Sequence, residues 1–272
     1  MGEGFKNSKE FAQYIRNSVV NMTHDGKSSH VGSCLSIADI LAVTYFDYLN
    51  TFPDEPSHKD RDWFILSKGH AGAAIYATLS GMGYFDKKLL KDHYQNGSIM
   101  SGHVSHKSIP GVEFSTGSLG HGLPVACGIA HGHKIDKIPN KIVCLLSDGE
   151  CDEGSNWEAI MYANHFRLSN LTVIVDYNKL QSLDSTENTM SLEPFVDKWI
   201  SFGWHAIECD GHNHNELKSS LEIESDKPKV IIAHTTKGYG VSFMEDSVLW
   251  HYRSPQGDEY ESAILELESH EK

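Results

Sequence analysis

The stretch Lys141-Ile-Val-Cys-Leu-Leu-Ser-Asp-Gly149 is an apolar run that ends in a serine, an aspartate and a glycine. A second apolar run, from Leu171 to Val175, ends in Asp176-Tyr177-Asn178. Roughly 30 residues separate the two ends, which is the length of a strand–helix–strand unit, and the segment 156–167 between them has helical character. The two runs are therefore predicted to be neighbouring parallel strands, with an acid at the tip of one and an amide at the tip of the next.

The two strand tips, at Asp148 and Asn178, offer hard oxygen ligands. Open α/β sheets bind their ligands outside the carboxyl ends of the strands. One carboxylate and one amide oxygen suit Mg²⁺, which usually leaves its other positions to water and to substrate phosphates. The sequence therefore predicts a magnesium site that holds a phosphorylated ligand.

Segments of helical and strand character alternate along the rest of the chain, without a repeat of fixed period. This alternation predicts an α/β fold, a doubly wound, mostly parallel sheet with helices on both faces. We expect residues 1–272 to form a single domain, with a peripheral tail from about 254 to 272. Ser36 is predicted to cap a helix over 37–48. An exposed, acidic helix is predicted over 256–270. Further strands are predicted at 63–66, 204–208 and 229–234, and further helices at 11–22, 71–79, 123–135, 192–201 and 215–223.

Composition narrows the classes of partner. The chain has 272 residues and a formal net charge of −14, which argues against a nucleic-acid surface or an anionic membrane as its target. Its five cysteines are scattered and include no C-x-x-C pair, which favours reduced thiols and a cytoplasmic location. The first residues lack the apolar region of a secretory signal, and no apolar run approaches the ~20 residues of a membrane span.

Glycine and histidine motifs provide a second set of candidates. Residues 116–122, Thr-Gly-Ser-Leu-Gly-His-Gly, precede a predicted helix, and glycines there let backbone N–H groups approach an anion. Among 17 histidines, we single out His30, His70, His103 and His251. For each of these histidines alone, the ordinary alternative to a functional role is a surface or capping residue. Zinc is a weaker alternative, because no histidine pair has the H-E-x-x-H spacing or a clear third ligand.

Taken together, these motifs resemble the N-terminal domain of transketolase, the domain that holds the diphosphate of thiamine diphosphate. The resemblance runs through almost the whole chain in the same order and is nearest to the split transketolases, whose N-terminal half is a separate polypeptide. The matching motifs are Ser29-His30-Val31-Gly32, Leu35 to Leu41, Leu66 to Ala71, Gly102-His103, Thr116 to Gly122, Ser147-Asp148-Gly149 with Glu153-Gly154, Asn178, Thr235 to Gly238 and Trp250-His251.

The resemblance implies a ligand set for the cofactor and its metal. Asp148, Asn178 and the main-chain carbonyl of Leu180 would hold Mg²⁺, for which Ca²⁺ or Mn²⁺ could substitute, and diphosphate oxygens and water would complete an octahedron. The residues implied in thiamine diphosphate binding are His70, Gly117, Ser118, Leu119, Gly149, Glu153, Asn178 and His251.

The resemblance also implies catalytic roles for three histidines. His30, His103 and His251 would line the substrate channel, bind sugar hydroxyls and move protons, because the ordinary histidine pKa of ~6.5 lies near operating pH. Glu153, and with it Glu158, would join a carboxylate network that links paired active sites. An ordinary acid at a helix N-terminus is the equal alternative for Glu153.

The implied function is the transfer of a two-carbon ketol unit from a ketose, phosphorylated or related, to an aldose acceptor. In this family the aminopyrimidine ring of the cofactor lies on a second domain, which also carries most groups that bind the sugar phosphate. We therefore expect the chain to act only with a separate C-terminal, pyrimidine-binding subunit, in an α₂β₂ assembly.

Two alternatives to this function stay open at the level of sequence. One is a subunit of another thiamine diphosphate enzyme, either similar to deoxyxylulose-phosphate synthase or a 2-oxo-acid decarboxylase, although four histidines favour a polyhydroxylated donor. The other is a non-catalytic scaffold, although the presence of Asp148, Asn178 and the four histidines argues against loss of the catalytic site. The chain departs from the family pattern at Ser147, where glycine is usual, and at Leu180-Gln181-Ser182, where more apolar residues are common.

Overall fold

A five-stranded parallel sheet lies at the centre of the computed structural model, which describes residues 4–269. Its strands are β1 (Trp63–Leu66), β2 (Ile142–Ser147), β3 (Leu171–Tyr177), β4 (His205–Asp210) and β5 (Lys229–His234). They lie in the order β1-β2-β3-β5-β4, and every pairing between neighbours is parallel. The predicted fold class is confirmed, and so is the prediction that the strands before Asp148 and Asn178 are neighbours.

Helices cover both faces of this sheet. They are α1 (Ser8–Gly26), α2 (Val31–Ser36), α3 (Ala38–Val43), α4 (Gly72–Met82), α5 (Gly122–Asp136), α6 (Gly154–His165), α7 (Thr186–Thr189), α8 (Phe195–Ser201), α9 (His214–Glu222) and α10 (Asp258–Ser269). Helices α5, α6 and α8 share one hydrophobic cluster, whereas α1 to α4 and α9 share the other.

Strand β2 shows why the apolar runs are continuous. Its residues alternate between the two clusters: Val143 and Leu145 belong to one, and Ile142, Cys144 and Leu146 belong to the other. All five are fully buried. A strand that is covered on both faces needs apolar side chains at every position, so its sequence has no polar alternation.

The path of the chain places the loops that follow β2, β3 and β5 side by side. The chain passes from β1 to β2 to β3 in one direction, skips a position to β4 at the edge and returns to β5. Because the last crossover runs in the opposite direction, α9 lies on the opposite face from α5, α6 and α8. The carboxyl ends of these three central strands therefore carry residues 148, 178 and 235–237 to one edge of the sheet.

The predicted helix over 37–48 is interrupted, and Ser36 does not cap it. Helix α2 ends at Ser36, α3 follows after Ile37, and the chain continues as a π-helical turn over Thr44–Tyr48. The Ser36 hydroxyl donates to Asp176 Oδ2 at 2.5 Å. The capping prediction is wrong because a fully buried carboxylate, distant in sequence, takes the hydroxyl that a local cap would have used.

The C-terminal helix is also less exposed than predicted. Helix α10 packs against α1 and fully buries Ala263 and Leu267 in the core cluster. The main-chain oxygen of Leu267 accepts a hydrogen bond of 2.7 Å from Gln13 Nε2. The prediction of an exposed helix is therefore wrong for this face, although the other face is acidic and solvated. Residues 270–272 of the predicted tail lie outside the described residues.

Two further findings bear on the environment of the protein. Residues 4–269 contain no helix with the length and hydrophobicity of a membrane span. The five cysteines are all buried free thiols.

Docking of α10 predicts a position-dependent loss of stability. Leu267→Ala should lower the free energy of unfolding by about 2–5 kcal/mol, because it removes buried methyl groups and leaves a cavity. Leu265, which is 66% exposed on the same helix, provides the matched control, and Leu265→Ala should change stability by less than about 0.5 kcal/mol. Urea denaturation measures both variants, and equal losses would contradict the buried face.

Candidate functional site

The predicted ligands Asp148 and Asn178 lie at the tips of two adjacent strands. Asp148 follows β2 directly, Asn178 follows β3 directly, and the register pairs Ser147 with Asp176 just before them. Asp148 is 2% exposed and Asn178 is 7% exposed. A main-chain hydrogen bond also connects the two strand ends, since Asp148 N donates to Asp176 O at 3.2 Å.

The loop after β3 carries Leu180, whose main-chain carbonyl is the third predicted metal ligand, to the same cavity. Lys179 has a positive φ of 61°, and its N–H donates to Asp148 Oδ2 at 2.6 Å. Leu180 N donates to Asn178 Oδ1 at 3.1 Å, so the loop wraps around both side chains. Asp148, Asn178 and Leu180 line one cavity of about 370 Å³.

The Asp148 carboxyl is buried and has no ion-pair partner among the described residues. Burial, followed by repulsion from the Asp176 carboxylate, raises the pKa of Asp148 to about 6. Within residues 4–269, no lysine or arginine forms an ion pair with it. A carboxylate in this position gains most from a bound cation, because a cation removes the electrostatic cost of ionisation.

A buried ion pair lies beneath the strand tips. Lys68 Nζ donates to Asp176 Oδ2 at 2.5 Å, and both side chains are fully buried. Asp176 also accepts from Thr235 Oγ1 at 2.5 Å and from Asn178 Nδ2 at 3.0 Å. Burial opposes ionisation, but the Lys68 ammonium and these hydrogen bonds outweigh it and hold the pKa of Asp176 below its ordinary value. The bond from Asn178 Nδ2 orients the amide oxygen away from Asp176.

Lys237 is a second buried ammonium in the cavity wall, and it is only 2% exposed. Its Nζ donates to Leu180 O at 2.7 Å, to Gln181 O at 3.1 Å and to His251 Nδ1 at 3.1 Å. Burial, with repulsion from Lys68, lowers the pKa of Lys237 to about 8. Because His251 Nδ1 accepts, the proton of this imidazole resides on Nε2.

The four selected histidines form one cluster around His30. The ring centroid of His30 lies 5.1 Å from His70, 5.6 Å from His103 and 4.9 Å from His251. His30 has a positive φ of 75°, and its N–H donates to His251 O at 2.8 Å. Its ring atom Nδ1 is buried without a hydrogen-bond partner among the described residues.

Burial keeps three of these imidazoles neutral. Desolvation, with the charges of His103 and Lys237, lowers the pKa of His30 to about 4. Desolvation, with the charge of Lys237, lowers the pKa of His251 to about 3. Desolvation and the Lys68 ammonium hold the pKa of His70 well below its ordinary value. Each neutral ring can donate from one nitrogen and accept at the other.

The cavity collects most of the predicted site residues but not all of them. Ser118 and Glu153 do not line it, and both are exposed. Glu153 precedes α6, with no capping bond from its side chain, and Glu158 is exposed on α6. The predicted residues that line the cavity are His30, His70, His103, Gly117, Leu119, Asp148, Gly149, Asn178, Leu180 and His251.

The glycine-rich segment passes very close to the end of β1. Thr116 Oγ1 donates to Leu66 O at 2.5 Å. A Cβ atom on Gly69 would lie only 2.4 Å from Thr116 O, so only glycine allows this approach. The segment 116–122 is therefore packed against the loop that carries Lys68 and His70.

Serine is compatible with the strand tip at position 147. Ser147 Oγ accepts a hydrogen bond of 3.3 Å from Glu150 N, at the start of the short helical turn Gly149–Asp152. Gln181 and Ser182, the other departure from the family pattern, line the cavity. Gln181 Nε2 donates to Asp152 Oδ2 at 2.9 Å.

The residues that sequence reasoning missed are mainly the buried ions Lys68, Asp176 and Lys237. Each stands in or beside one of the matching motifs, but the motifs assign none of them a role. A charged residue inside an otherwise apolar strand, as at Asp176, was the available signal.

A separate cavity of about 880 Å³ lies beside Asp39 and is lined by side chains of both charges. It contains none of the predicted site residues. The smaller cavity is therefore the candidate site.

Comparison with known proteins agrees with this geometry. The family described as "Transketolase, thiamine diphosphate binding domain" matches residues 7–263. An apulose-4-phosphate transketolase subunit of Phocaeicola vulgatus is 40% identical over 255 residues, which cover 93% of this chain and 90% of the relative. The 6-deoxy-6-sulfo-D-fructose transketolase subunit SqwG of Clostridium sp. is 40% identical over 242 residues, which cover 88% of each chain.

Solved structures give the same result. The crystal structure of transketolase from Campylobacter jejuni matches with a TM-score of 0.91 and 31% identity. The match covers 98% of this chain but only 43% of that transketolase chain. The fold and the site thus define a thiamine diphosphate binding domain. The chain belongs to the transketolase family, and its catalytic class is that of the transketolase-type transferases.

The low pKa of His30 predicts that stability depends on pH. Between its ordinary value of 6.5 and the folded value of about 4, the unfolded chain binds a proton that the folded chain does not. Stability therefore falls as pH falls through this window. His30→Gln should reduce the slope of unfolding free energy against pH between about pH 5 and pH 6.5.

Urea unfolding at several pH values measures this slope. His165→Gln, which removes an exposed imidazole, is the matched control and should leave the slope as it is in the parent. An unchanged slope in His30→Gln would contradict the burial of a neutral imidazole at this site.

Proposed function

We propose that this chain is the diphosphate-binding subunit of a split transketolase, which transfers a two-carbon ketol unit from a ketose to an aldose acceptor. The proposal rests on one observation. Four clustered imidazoles share a cavity with a buried acid and an amide at adjacent strand tips. The imidazoles suit a polyhydroxylated substrate, and the strand tips suit a metal-bound diphosphate.

The donor set fits a magnesium ion. Asp148, Asn178 and the Leu180 carbonyl would hold Mg²⁺, with Ca²⁺ or Mn²⁺ as substitutes. The Leu180 carbonyl already accepts from Lys237, but its second lone pair can serve a metal. Within residues 4–269, no group of three or more His, Cys, Asp and Glu side chains is arranged as a metal site.

The cavity also fits a diphosphate. His70 and His251 would donate to it, Gly149 would contact it, and Lys237 adds positive charge to the wall. Leu119 offers an apolar contact, and Gly117 leaves room beside His103. Thiamine diphosphate supplies the carbon–carbon chemistry when it is bound, while the protein supplies position and field.

The imidazoles would act as hydrogen-bond donors and acceptors. His30, His103 and His251 would bind hydroxyl groups of the sugar and move protons to and from its oxygen atoms. A neutral ring with both nitrogens free accepts at one while it donates from the other, whereas His251, whose Nδ1 already accepts from Lys237, would contribute its Nε2–H. Each positioned acid–base group is typically worth ~10²–10⁴ in rate.

The pyrimidine half of the site would come from a separate C-terminal subunit, in an α₂β₂ assembly. Relatives named as subunits match this chain over most of their length, whereas the chain spans less than half of the Campylobacter jejuni transketolase. Three exposed apolar side chains would be covered by the partner: Tyr252, which lines the cavity, and Leu183 and Leu249, which lie within two residues of cavity-lining positions in the sequence.

The substrate class and the compartment follow from weaker observations. The relatives are named for a phosphorylated and a sulfonated ketose, so we propose a ketose with a terminal anionic group. The free, buried thiols favour the cytoplasm. The charge of −14 favours neither nucleic acid nor membrane as a partner, and we propose that residues 1–272 act as a single domain.

Reconstitution tests the split site. The purified chain, mixed with a C-terminal transketolase subunit, Mg²⁺ and thiamine diphosphate, should convert ketose phosphates and aldehydes into ketol-transfer products that mass spectrometry detects. Neither polypeptide should be active without the other. Appreciable turnover by this chain alone would contradict the split site, and a preference for pyruvate as donor would favour a different thiamine diphosphate enzyme.

Removal of the predicted metal ligand should abolish cofactor uptake. Asp148→Ala in the assembled complex should eliminate the Mg²⁺-dependent binding of thiamine diphosphate that calorimetry measures, because it removes the only charged ligand of the proposed set. Asp226→Ala, which removes an exposed acid, is the control and should bind like the parent. Unchanged affinity in Asp148→Ala would favour a scaffold without a metal site.

A further inference from the structure

Glu150 is a buried acid to which the proposed function assigns no role. It follows Asp148-Gly149 in the turn after β2, and its side chain is fully buried. Its Oε1 accepts from Ser67 Oγ at 2.5 Å and from Gly120 N at 3.0 Å. Its Oε2 accepts a longer bond of 3.4 Å from Ser147 N. One carboxylate thus joins the end of β1, the end of β2 and the glycine-rich segment.

The glycine-rich segment is held at Gly120 from two sides. Gly120 N donates to Glu150, and Gly120 O accepts from Ser155 Oγ at 2.7 Å. Gly120 has a positive φ of 80°, and a Cβ there would lie 2.4 Å from Ser155 Oγ. Gly122 N donates to Ser67 Oγ at 3.1 Å, so Ser67 extends the contact from Glu150 further along the segment.

We propose that Glu150 is a positioning residue for the cofactor: together with Ser67 and Ser155, it fixes the segment 117–122 as one wall of the cavity. Gly117 and Leu119 are the parts of this segment that line the cavity. The inference rests on the proposed function, because it assigns that wall to thiamine diphosphate. A glycine-rich segment that is not held loses much conformational entropy when a ligand orders it, so a fixed wall strengthens binding.

The chemistry of the contacts requires a carboxylate. All three partners of the side chain are donors, namely the Ser67 hydroxyl and the N–H groups of Gly120 and Ser147. An amide in place of the carboxylate can keep the two bonds at Oε1, but its NH₂ group then faces the N–H of Ser147. Glu150→Gln should therefore be milder than Glu150→Ala, which removes all three bonds.

The turn itself does not depend on this side chain. Glu150 N donates to Ser147 Oγ, and Cys151 N donates to Asp148 O at 2.8 Å. Glu150 O accepts from Asn156 Nδ2 at 2.7 Å. Because none of these bonds uses the side chain of Glu150, that side chain can be changed while Asp148 stays in place.

Calorimetry on the assembled two-subunit complex, with thiamine diphosphate and saturating Mg²⁺, tests the proposal. Glu150→Ala should raise the dissociation constant about 10-fold to 100-fold, which is the usual effect of losing hydrogen bonds to a charged group. Glu150→Gln and Ser155→Ala should raise it less. The matched control is Glu113→Gln, which alters a partly buried acid that is paired with Arg61 and lies outside the cavity lining. It should lower the unfolding midpoint and leave the dissociation constant within about twofold.

Hydrogen exchange on the chain alone gives a second measurement that needs no cofactor. Peptides that cover 117–122 should exchange faster in Glu150→Ala and Glu150→Gln than in the parent, whereas peptides that cover 171–178 should not change. If Glu150→Ala fails to fold, Glu150→Gln decides the question with both measurements.

Three results would overturn this role. The first is a folded Glu150 variant with parental affinity and parental exchange over 117–122. The second is an equal loss of affinity in Glu113→Gln, which would make the effect one of general stability. The third is a parent complex that takes up no thiamine diphosphate, which would overturn the proposed function together with this role.

Discussion

The buried ion pair between Lys68 and Asp176 is the contact on which the arrangement of the site depends. Removing two charges from water costs on the order of several kcal/mol for each ion, and a buried pair is tolerated only when its remaining hydrogen-bonding capacity is satisfied. Asp176 meets this condition with bonds from Ser36, Thr235 and Asn178. These partners come from α2 and from the ends of β3 and β5, so the pair ties three elements to the end of β1. Its main contribution is therefore to the relative position of the strand tips and less to net stability.

The charges around this pair suit the metal-bound anion of the proposed function. The pair itself is close to neutral, Lys237 adds one buried ammonium, and Asp148 adds one acid whose ionisation burial opposes. A divalent cation satisfies Asp148, and a diphosphate then balances the cation and the remaining ammonium. Neither ligand alone balances the cavity as well as both together, because an unpaired buried charge is costly. This coupling gives a physical reason for the proposed dependence of cofactor binding on magnesium.

The features that could be predicted from the sequence are those defined by residues that are adjacent in the chain. The strands followed from apolar runs, and Asp148 and Asn178 followed from their position after those runs, because a strand end and its next residue are adjacent in sequence. The roles of Ser36, Asp176 and Glu150 could not be predicted in the same way. Each is defined by a partner that lies far away in sequence and becomes a neighbour only when the sheet forms. The buried face of α10 was missed for a similar reason, since its acidic composition describes the solvated face alone.

The histidine cluster shows how the same burial that holds the ions also sets the chemistry. The imidazoles of His70, His103 and His251 surround that of His30, close to the ammonium groups of Lys68 and Lys237. The four rings cannot all carry protons at once, because each added charge repels the others in a medium of low dielectric constant. The rings of His30, His70 and His251 are therefore neutral near pH 7 and can still donate hydrogen bonds from their N–H groups. In the proposed reaction, a proton that one of these rings takes from a sugar hydroxyl would be held weakly and returned readily to the substrate. The same low pKa makes each of these rings a weaker base than an ordinary histidine, whose pKa lies nearer the operating pH. Crowding would thus favour hydrogen bonding to hydroxyl groups and short-lived proton transfer over stable protonation of the rings.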